Sequence, residues 1–258
     1  MNRVIKISLV MLITMAFLAS GMAMAGKIDG LVLYFSFDEG AGDTLKDLSG
    51  NGNNGKIIKG AKWVAGKYGK GLEFDNGSVE VPSSKSLEIV DEISMMVWIN
   101  PRLTGGAWQG LITKGPDGGE SFELLLNSAG HFHTAYKFAD GSRPAPNRGA
   151  AGAVKKDTWQ HIAVTYKPGD WIAYLDGAVL DKQTSSKGKL AILPNELVLG
   201  DEKGMSRFFI GTMDEVAIFN KALSEAEVKN FMNTNIDKFL SVESQSKLAT
   251  TWANLKAK

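Results

Sequence analysis

The sequence contains no cysteine, carries almost no net charge and has no long apolar run beyond its amino end. The lack of cysteine excludes disulfide cross-links, a thiol nucleophile and a lipid-modified cysteine anchor. The 258 residues include 29 basic and 28 acidic ones, so no positive excess favours nucleic acid or an anionic membrane as a partner. Stability must therefore come from a packed core, from hydrogen bonds and from any bound ion.

The amino end has the pattern of a secretory signal peptide. Arg3 and Lys6 precede an apolar run over residues 7–18, and small residues ending in Ala23-Met24-Ala25 follow. This pattern predicts cleavage after residue 25 and export to the periplasm, the cell surface or the medium. The run is shorter than the roughly 20 residues that a membrane-spanning helix needs. We therefore expect no integral membrane segment after cleavage, and the mature chain keeps 27 basic and 28 acidic residues.

The remaining sequence indicates an all-β antiparallel fold. Short apolar or alternating runs such as ISMMVWIN, FELLLN and HIAVTY recur between clusters of Gly, Asn, Asp and Pro, as in a sandwich or barrel. Asp176-Gly177 predicts a type I′ hairpin turn, and the capping box Ser224-x-x-Glu227 predicts one short helix. We expect one β domain over residues 26–235 and a polar tail over residues 236–258.

Several segments, in order, carry a family resemblance. They are LVLYFSFDEGAGDTLKDLSGNGNNG, WVAGKYGKGLEFDNGSVEVP, ISMMVWINP, WQHIAVTY, AYLDG and IGTMDEVAIFNKALSEAEV. Together, from Leu31 to Met232, they resemble the LamG-like jellyroll domains of the concanavalin A-like lectin/glucanase superfamily. The resemblance implies two curved antiparallel sheets in a jellyroll sandwich, with the first strand near the last. It does not fix a function, because this fold occurs in adhesins, lectin-like modules and appendages of enzymes.

Three functions are compatible with this fold. We expect a non-catalytic binding or adhesion module that recognises carbohydrate or an extracellular protein surface. The alternatives are a secreted polysaccharide hydrolase or lyase, and a structural component that assembles through the tail. The glucanase pattern E-x-D-x-E is incomplete, since Glu73-x-Asp75 is followed by Asn76-Gly77-Ser78, without a third carboxylate. We interpret EFDNGSVEV as two strands of a hairpin.

The segment DLSGNGNNG, residues 47–55, favours either a tight turn or a calcium site. Its alternating oxygen-bearing side chains match the first half of a calcium loop, but Ile58 stands where an EF-hand needs a glutamate. A structural calcium ion would need a carboxylate from elsewhere. The predicted ligands are Asp47, Asn51 and Asn53, together with Asp214 and, more weakly, Asp75, which the family resemblance implies as carboxylates at strand ends. The alternative is a turn in which Asp, Asn and Ser side chains bond to the backbone.

Histidine and aromatic residues provide the remaining candidates. His131 and His133 project from one face of a strand, as some zinc ligand pairs do, but no third ligand is evident. The segment over residues 137–158 is too long for an ordinary hairpin connection, which favours a surface loop that either binds a ligand or is a mobile insertion. The predicted ligand-binding residues, by sugar stacking or hydrogen bonding, are Trp108, Tyr136, Arg143, Asn147, Arg148 and Trp171.

Overall fold

A computed structural model describes residues 28–104, 108–115 and 119–234. The expected signal peptide and the whole of the expected tail lie outside these residues. The described strands are β1 (Leu31–Phe35), β2 (Thr44–Leu45), β3 (Gly55–Ala65), β4 (Lys70–Val81), β5 (Ile93–Pro101), β6 (Trp108–Lys114), β7 (Phe122–Asn127), β8 (Phe132–Tyr136), β9 (Asn147–Arg148), β10 (Gln160–Lys167), β11 (Asp170–Leu175), β12 (Ala178–Gln183), β13 (Leu197–Leu199) and β14 (Gly211–Phe219). A short 3-10 helix spans Lys85–Leu87, and the helix α1 spans Glu225–Asn233.

The strands form one antiparallel ladder in the order β12-β11-β10-β5-β14-β4-β13-β6-β7-β8-β9. The first strand, β1, pairs with β14, the last strand of the described chain, while β2 and β3 join the ladder through β4. The pairing of β1 with β14 is the arrangement that the family resemblance implies.

The ladder folds over on itself, because strands from its two halves meet in one core. The indole Nε1 of Trp171 on β11 donates a hydrogen bond of 2.7 Å to Oγ1 of Thr134 on β8. The rings of Tyr136 on β8 and Tyr166 on β10 lie 4.7 Å apart. The inward side chains of both layers therefore form the core of a two-layer sandwich, and the predicted all-β jellyroll fold is confirmed.

Local sequence signals place two of the connections where they are expected. Asp176 and Gly177 adopt φ values of 50° and 77°, as a two-residue type I′ turn requires, and join β11 to β12. Ser224 caps α1 through the full capping box with Glu227. Buried Val228 anchors the helix on the sandwich, and the ring of Phe231 packs against that of Phe219 on β14 in a tilted arrangement, with 4.8 Å between centroids. No helix within the described residues is long and apolar enough to cross a bilayer.

The interpretation of EFDNGSVEV as a hairpin is wrong. Residues 70–81 form one continuous strand, β4, which pairs with β3 along its length. Asn76 has a φ of 54°, and Gly60 on the facing strand has a φ of 64°, where the register shifts. A Cβ on Gly77 would lie 2.4 Å from the backbone of Gly60. The Asn-Gly pair therefore produces a close-packed bulge in a long bent hairpin, and it does not reverse the chain.

Candidate binding site

Trp108 is the centre of a polar and aromatic cluster on the outer face of the sandwich. Its ring stacks on His131 at 5.5 Å between centroids, with 16° between the planes. The His133 ring lies 4.0 Å from it in a tilted arrangement, and the guanidinium carbon of Arg148 lies 5.8 Å from its centroid. We call Trp108, His131, His133, Arg148 and the neighbouring Arg143 the Trp108 cluster. Trp108 and His131 are half-buried and both arginines are exposed, so a ligand can reach this surface.

Strand alternation explains why these side chains point outward. On β8, Phe132 and Tyr136 belong to the core and Thr134 bonds to the buried Trp171, so His133 faces the opposite side. Trp108 on β6 stands opposite Asn127 on β7, on the same outer face. The Asn127 side chain accepts the backbone N–H of His131 at 3.1 Å and so fixes the turn that brings His131 to Trp108.

Arg148 is held in place through its backbone. It pairs with His133 in the short β8–β9 ladder. Its carbonyl oxygen accepts a hydrogen bond of 2.6 Å from Nε2 of Gln183 on β12. Asn147 next to it donates to Oε1 of the same glutamine at 3.1 Å and accepts from Ser185 Oγ at 3.1 Å. Asn147 therefore positions β9, while the side chain of Arg148 is left to cover Trp108.

The segment over residues 137–158 packs on the sandwich by many backbone contacts. Gly152 and Val154 donate N–H groups to Ala129 and Gly130 at 2.9 Å and 2.8 Å, and Asp157 donates to Pro101 at 2.8 Å. The side chain of Val154 is buried. These contacts join the loop to the body of the domain through hydrogen bonds and one apolar anchor.

Two buried glutamates underlie the cluster, and sequence reasoning missed them. Glu120 and Glu123 are 0 % and 2 % exposed. Arg143 bridges them, with Nε 2.5 Å from Glu120 Oε1 and Nη2 3.8 Å from Glu123 Oε1. His133 Nε2 lies 3.6 Å from the same oxygen of Glu123. The available signal was the segment GESFELLLN, in which Glu123 interrupts an otherwise apolar strand.

The two histidines are brought to the same ring, as their spacing predicts, but they are packed as aromatic groups. Burial, followed by the positive charges of Arg148 and His133, lowers the pKa of His131 below its ordinary value of 6.5. Within the described ranges, no three His, Cys, Asp or Glu side chains come together as a metal-binding group. The geometry of these residues therefore gives no support to a zinc site.

Two of the predicted stacking residues lie elsewhere. Trp171 is 0 % exposed and Tyr136 is 1 % exposed. Both belong to the core, where Trp171 bonds to Thr134 and burial raises the pKa of the Tyr136 phenol. Neither can present a ring face to a ligand, so their predicted role in sugar stacking is wrong. Trp108, Arg143, Asn147 and Arg148 lie together at or beside the cluster.

The predicted metal ligands at the Asn/Gly turn make hydrogen bonds to strand β1. Oδ1 of Asp47 accepts the N–H groups of Tyr34 and Ser49, and Oδ2 accepts Ser49 Oγ and the N–H of Asn53, at 2.8–3.0 Å. The amides of Asn51 and Asn53 donate to the carbonyl of Val32 at 3.0 Å and 2.9 Å. The turn thus satisfies the edge of β1 that faces away from β14, which accounts for its composition.

Asp214 and Asp75 have other partners. Asp214 is buried on β14, where Oδ2 accepts the N–H of Tyr68 and Oδ1 accepts the N–H of Glu215, both at 2.9 Å. Asp75 is exposed at the bend of β4, and it accepts the side-chain amide of Asn76 at 3.1 Å. The two predicted carboxylate ligands, Asp47 and Asp214, therefore accept hydrogen bonds from different groups of the chain. A structural calcium ion that draws on these residues remains a prediction.

The Trp108 cluster combines flat rings with cationic donors. A tryptophan ring accepts the apolar C–H face of a sugar, while guanidinium groups donate to the hydroxyl or acidic groups at its rim. Because Glu120 and Glu123 lie below the surface, they hold Arg143 and do not contact a ligand directly. The arrangement is therefore suited to binding at a surface.

Comparison with known proteins agrees with this architecture. The model of a family described as the concanavalin A-like lectin/glucanases superfamily matches residues 74–229. Usherin of Rattus norvegicus is 20% identical over 152 residues, which are 57% of this chain and 3% of usherin. The binding domain of Paraclostridial Mosquitocidal Protein 1 superposes with a TM-score of 0.64 and 19% identity, over 79% of this chain and 52% of that one.

A second solved structure matches along nearly its whole length. Domain 4 of AbnA, an extracellular GH43 arabinanase from Geobacillus stearothermophilus solved in complex with arabinotriose, superposes with a TM-score of 0.63 and 20% identity. The superposition covers 79% of this chain and 98% of that domain. At these identities the likeness concerns the fold. The chain spans only about half of the toxin domain and a small fraction of usherin.

Proposed function

The chain belongs to the concanavalin A-like lectin/glucanase superfamily, and from this membership and the Trp108 cluster we propose that it is an exported, non-catalytic module that binds carbohydrate. The observation that carries the proposal is the half-buried Trp108 ring with the Arg148 guanidinium 5.8 Å from its centroid, on the outer face of the sandwich. The arabinotriose complex of the structurally similar AbnA domain supports the ligand class. The sequence pattern of residues 1–25 supports export.

A glycan array with the purified full chain tests this proposal. We expect binding to at least one saccharide, and a loss of about tenfold in affinity, or about 1.4 kcal/mol, for Trp108→Leu, since this variant loses the aromatic ring face and its cation–π contact with Arg148. Trp63→Leu is the matched control, because Trp63 is also half-buried but lies on β3 and bonds to Gly42. Retention of all glycan binding by Trp108→Leu would place the site elsewhere. Binding to no glycan would overturn the carbohydrate proposal and favour a protein partner.

The enzyme alternative rests on one observation, the 3.6 Å approach of His133 Nε2 to Glu123 Oε1. A general acid or base must reach the substrate, but these side chains are 6% and 3% exposed below the surface. We therefore expect no product release from a bound glycan. Turnover that Glu123→Gln abolishes, with binding unchanged, would establish catalysis.

A further inference from the structure

The distribution of charge in the Trp108 cluster separates a buried acidic layer from an exposed basic one. The carboxylates of Glu120 and Glu123 are almost fully buried and lie beside Arg143. The groups that a ligand meets are the arginine side chains and the neighbouring rings. A ligand therefore contacts the arginine side chains directly, while these side chains separate it from the buried carboxylates.

Arg148 is the residue that distinguishes this surface from a neutral one. Within residues 28–104, 108–115 and 119–234, its guanidinium makes no ion pair and contacts Trp108 only through the cation–π arrangement. An arginine without a carboxylate partner keeps its N–H donors available for a planar anion, which it can bind through two parallel hydrogen bonds. Its backbone is fixed by Gln183 and by β8, so a ligand need not order the backbone at this position.

From this arrangement we infer that the carbohydrate bound at the Trp108 cluster is acidic, with a carboxylate or sulfate group placed against the Arg148 guanidinium. The inference rests on the proposed carbohydrate-binding function. The ring of Trp108 takes the apolar face of the sugar, and Arg148 takes the charged substituent. His131 is neutral at pH 7, because its pKa is lowered, and it contributes stacking without a second charge.

The test is an array of paired glycans that differ only in the acidic group. Suitable pairs are galacturonate and galactose oligosaccharides, sialylated and desialylated glycans, and sulfated and unsulfated glycans. We expect the acidic member of at least one pair to bind about tenfold or more tightly, which is the difference that one charge-assisted hydrogen-bonded pair supplies. The uronate, sialyl and sulfate pairs show which anionic group is recognised. Binding of the acidic member should weaken between 50 mM and 500 mM NaCl, at about the range where screening becomes strong.

Variants assign the preference to Arg148. Arg148→Gln should remove the preference, so that both members of a pair bind equally, because glutamine keeps an N–H donor but loses the positive charge. Arg148→Lys should keep part of the preference, since it retains charge but loses the planar fork. Lys62→Ala is the control for net charge, because Lys62 is exposed on β3.

The outcomes are separable from those of the proposed function. Equal binding of acidic and neutral members would overturn the acidic-ligand inference and leave carbohydrate binding intact. A preference that survives in Arg148→Gln, or that Lys62→Ala removes equally, would overturn the role of Arg148. Binding to no member of any pair would overturn the proposed function and the inference with it.

Discussion

Gln183 on β12 donates a hydrogen bond of 2.6 Å to the carbonyl oxygen of Arg148 on β9. These two strands are the ends of the ladder, so the bond joins the edges of the sheet. Asn147 adds a second bond to the same side chain. The position of Arg148 over Trp108 thus depends on a contact with Gln183, which lies 35 positions later in the sequence.

Gln183→Leu should loosen β9 while the sandwich stays folded. The substitution removes two hydrogen bonds to β9 and a third to Asp181 Oδ2, and we expect a loss of about 1–2 kcal/mol in the free energy of unfolding in urea. Hydrogen exchange should accelerate at Gly149, whose N–H bonds to Phe132 at 2.9 Å. Thr184→Val is the control, because this neighbouring side chain is exposed. Unchanged exchange at Gly149 would show that Gln183 does not hold β9.

Asp47→Ala should destabilise the fold strongly, because the carboxylate accepts four hydrogen bonds from the turn and from Tyr34. We expect a loss of about 3 kcal/mol, given that bonds to a charged acceptor are worth about 1.5–3 kcal/mol each and their sum is reduced by relaxation. Asp43→Ala, four residues earlier and exposed, should change stability by less than about 0.5 kcal/mol. Equal effects of the two variants would contradict the role assigned to Asp47.

A chelator separates hydrogen bonding from calcium binding at the same residue. The deficit of Asp47→Ala should persist in EDTA if hydrogen bonds cause it. An ion that binds only the folded state raises the melting temperature by mass action. The calcium prediction therefore requires that EDTA lower the melting temperature of the wild type and leave that of Asp47→Ala unchanged. If EDTA does not change the melting temperature of the wild type, the prediction of a structural calcium ion is wrong.

Much of the fold could be predicted because its signals are local. The turn at Asp176-Gly177 follows from the φ values that these two residues tolerate, and the start of α1 follows from the bonds between Ser224 and Glu227. The bend in β4 could not be predicted in this way. There the pair Asn76-Gly77, which is also typical of a hairpin turn, stands opposite Gly60 on β3. The close approach of the two strands decides the conformation of this pair.

The candidate site was predictable only in part, because burial of an aromatic residue depends on the facing layer. The segment WIAYL on β11 is apolar at every position, so its pattern does not tell which face Trp171 occupies. Trp108 starts a strand, where its ring can reach the outer face. Glu120 and Glu123 were missed because their partner, Arg143, comes from a loop about 20 residues later and meets them only in the folded chain.

Trp171→Phe and Trp108→Phe should therefore have opposite phenotypes. Trp171→Phe removes the donor to Thr134 Oγ1 inside the core and should cost about 1–3 kcal/mol of stability without weakening glycan binding. Trp108→Phe keeps a half-exposed ring and should change stability by less than about 1 kcal/mol while it weakens glycan binding. Denaturation and glycan affinity measured on both variants check this. A loss of affinity in a stable Trp171→Phe protein would return Trp171 to the binding site.

His161 should make the protein sensitive to acid. It is buried beside Trp98, with 5.4 Å between ring centroids, and burial lowers its pKa to about 3. A histidine whose folded pKa lies below its unfolded value of 6.5 stabilises the fold fully above pH 6.5, and this contribution is lost as the pH falls towards 3. His161→Gln should therefore gain stability relative to the wild type as the pH is lowered from 6.5 to 4, by up to about 1.4 kcal/mol per pH unit. A constant difference across this range would show that His161 does not titrate in this way.

Asp214 should change stability with pH in the direction opposite to His161, over nearly the same pH range. Burial raises its pKa to about 7, although the backbone N–H groups of Tyr68 and Glu215 favour the charged form. A carboxyl whose folded pKa lies above its unfolded value of 3.8 stabilises the fold fully below pH 3.8, and this contribution is lost as the pH rises through 7. Asp214→Asn should gain stability relative to the wild type as the pH rises from 4 to 7. Because the two groups oppose each other between pH 4 and 6.5, the wild type and the double variant with His161→Gln should show similar slopes of stability against pH there. Urea unfolding at pH 4, 5.5 and 7 on all four proteins measures these slopes, and single variants with the same slope as the wild type would refute the compensation.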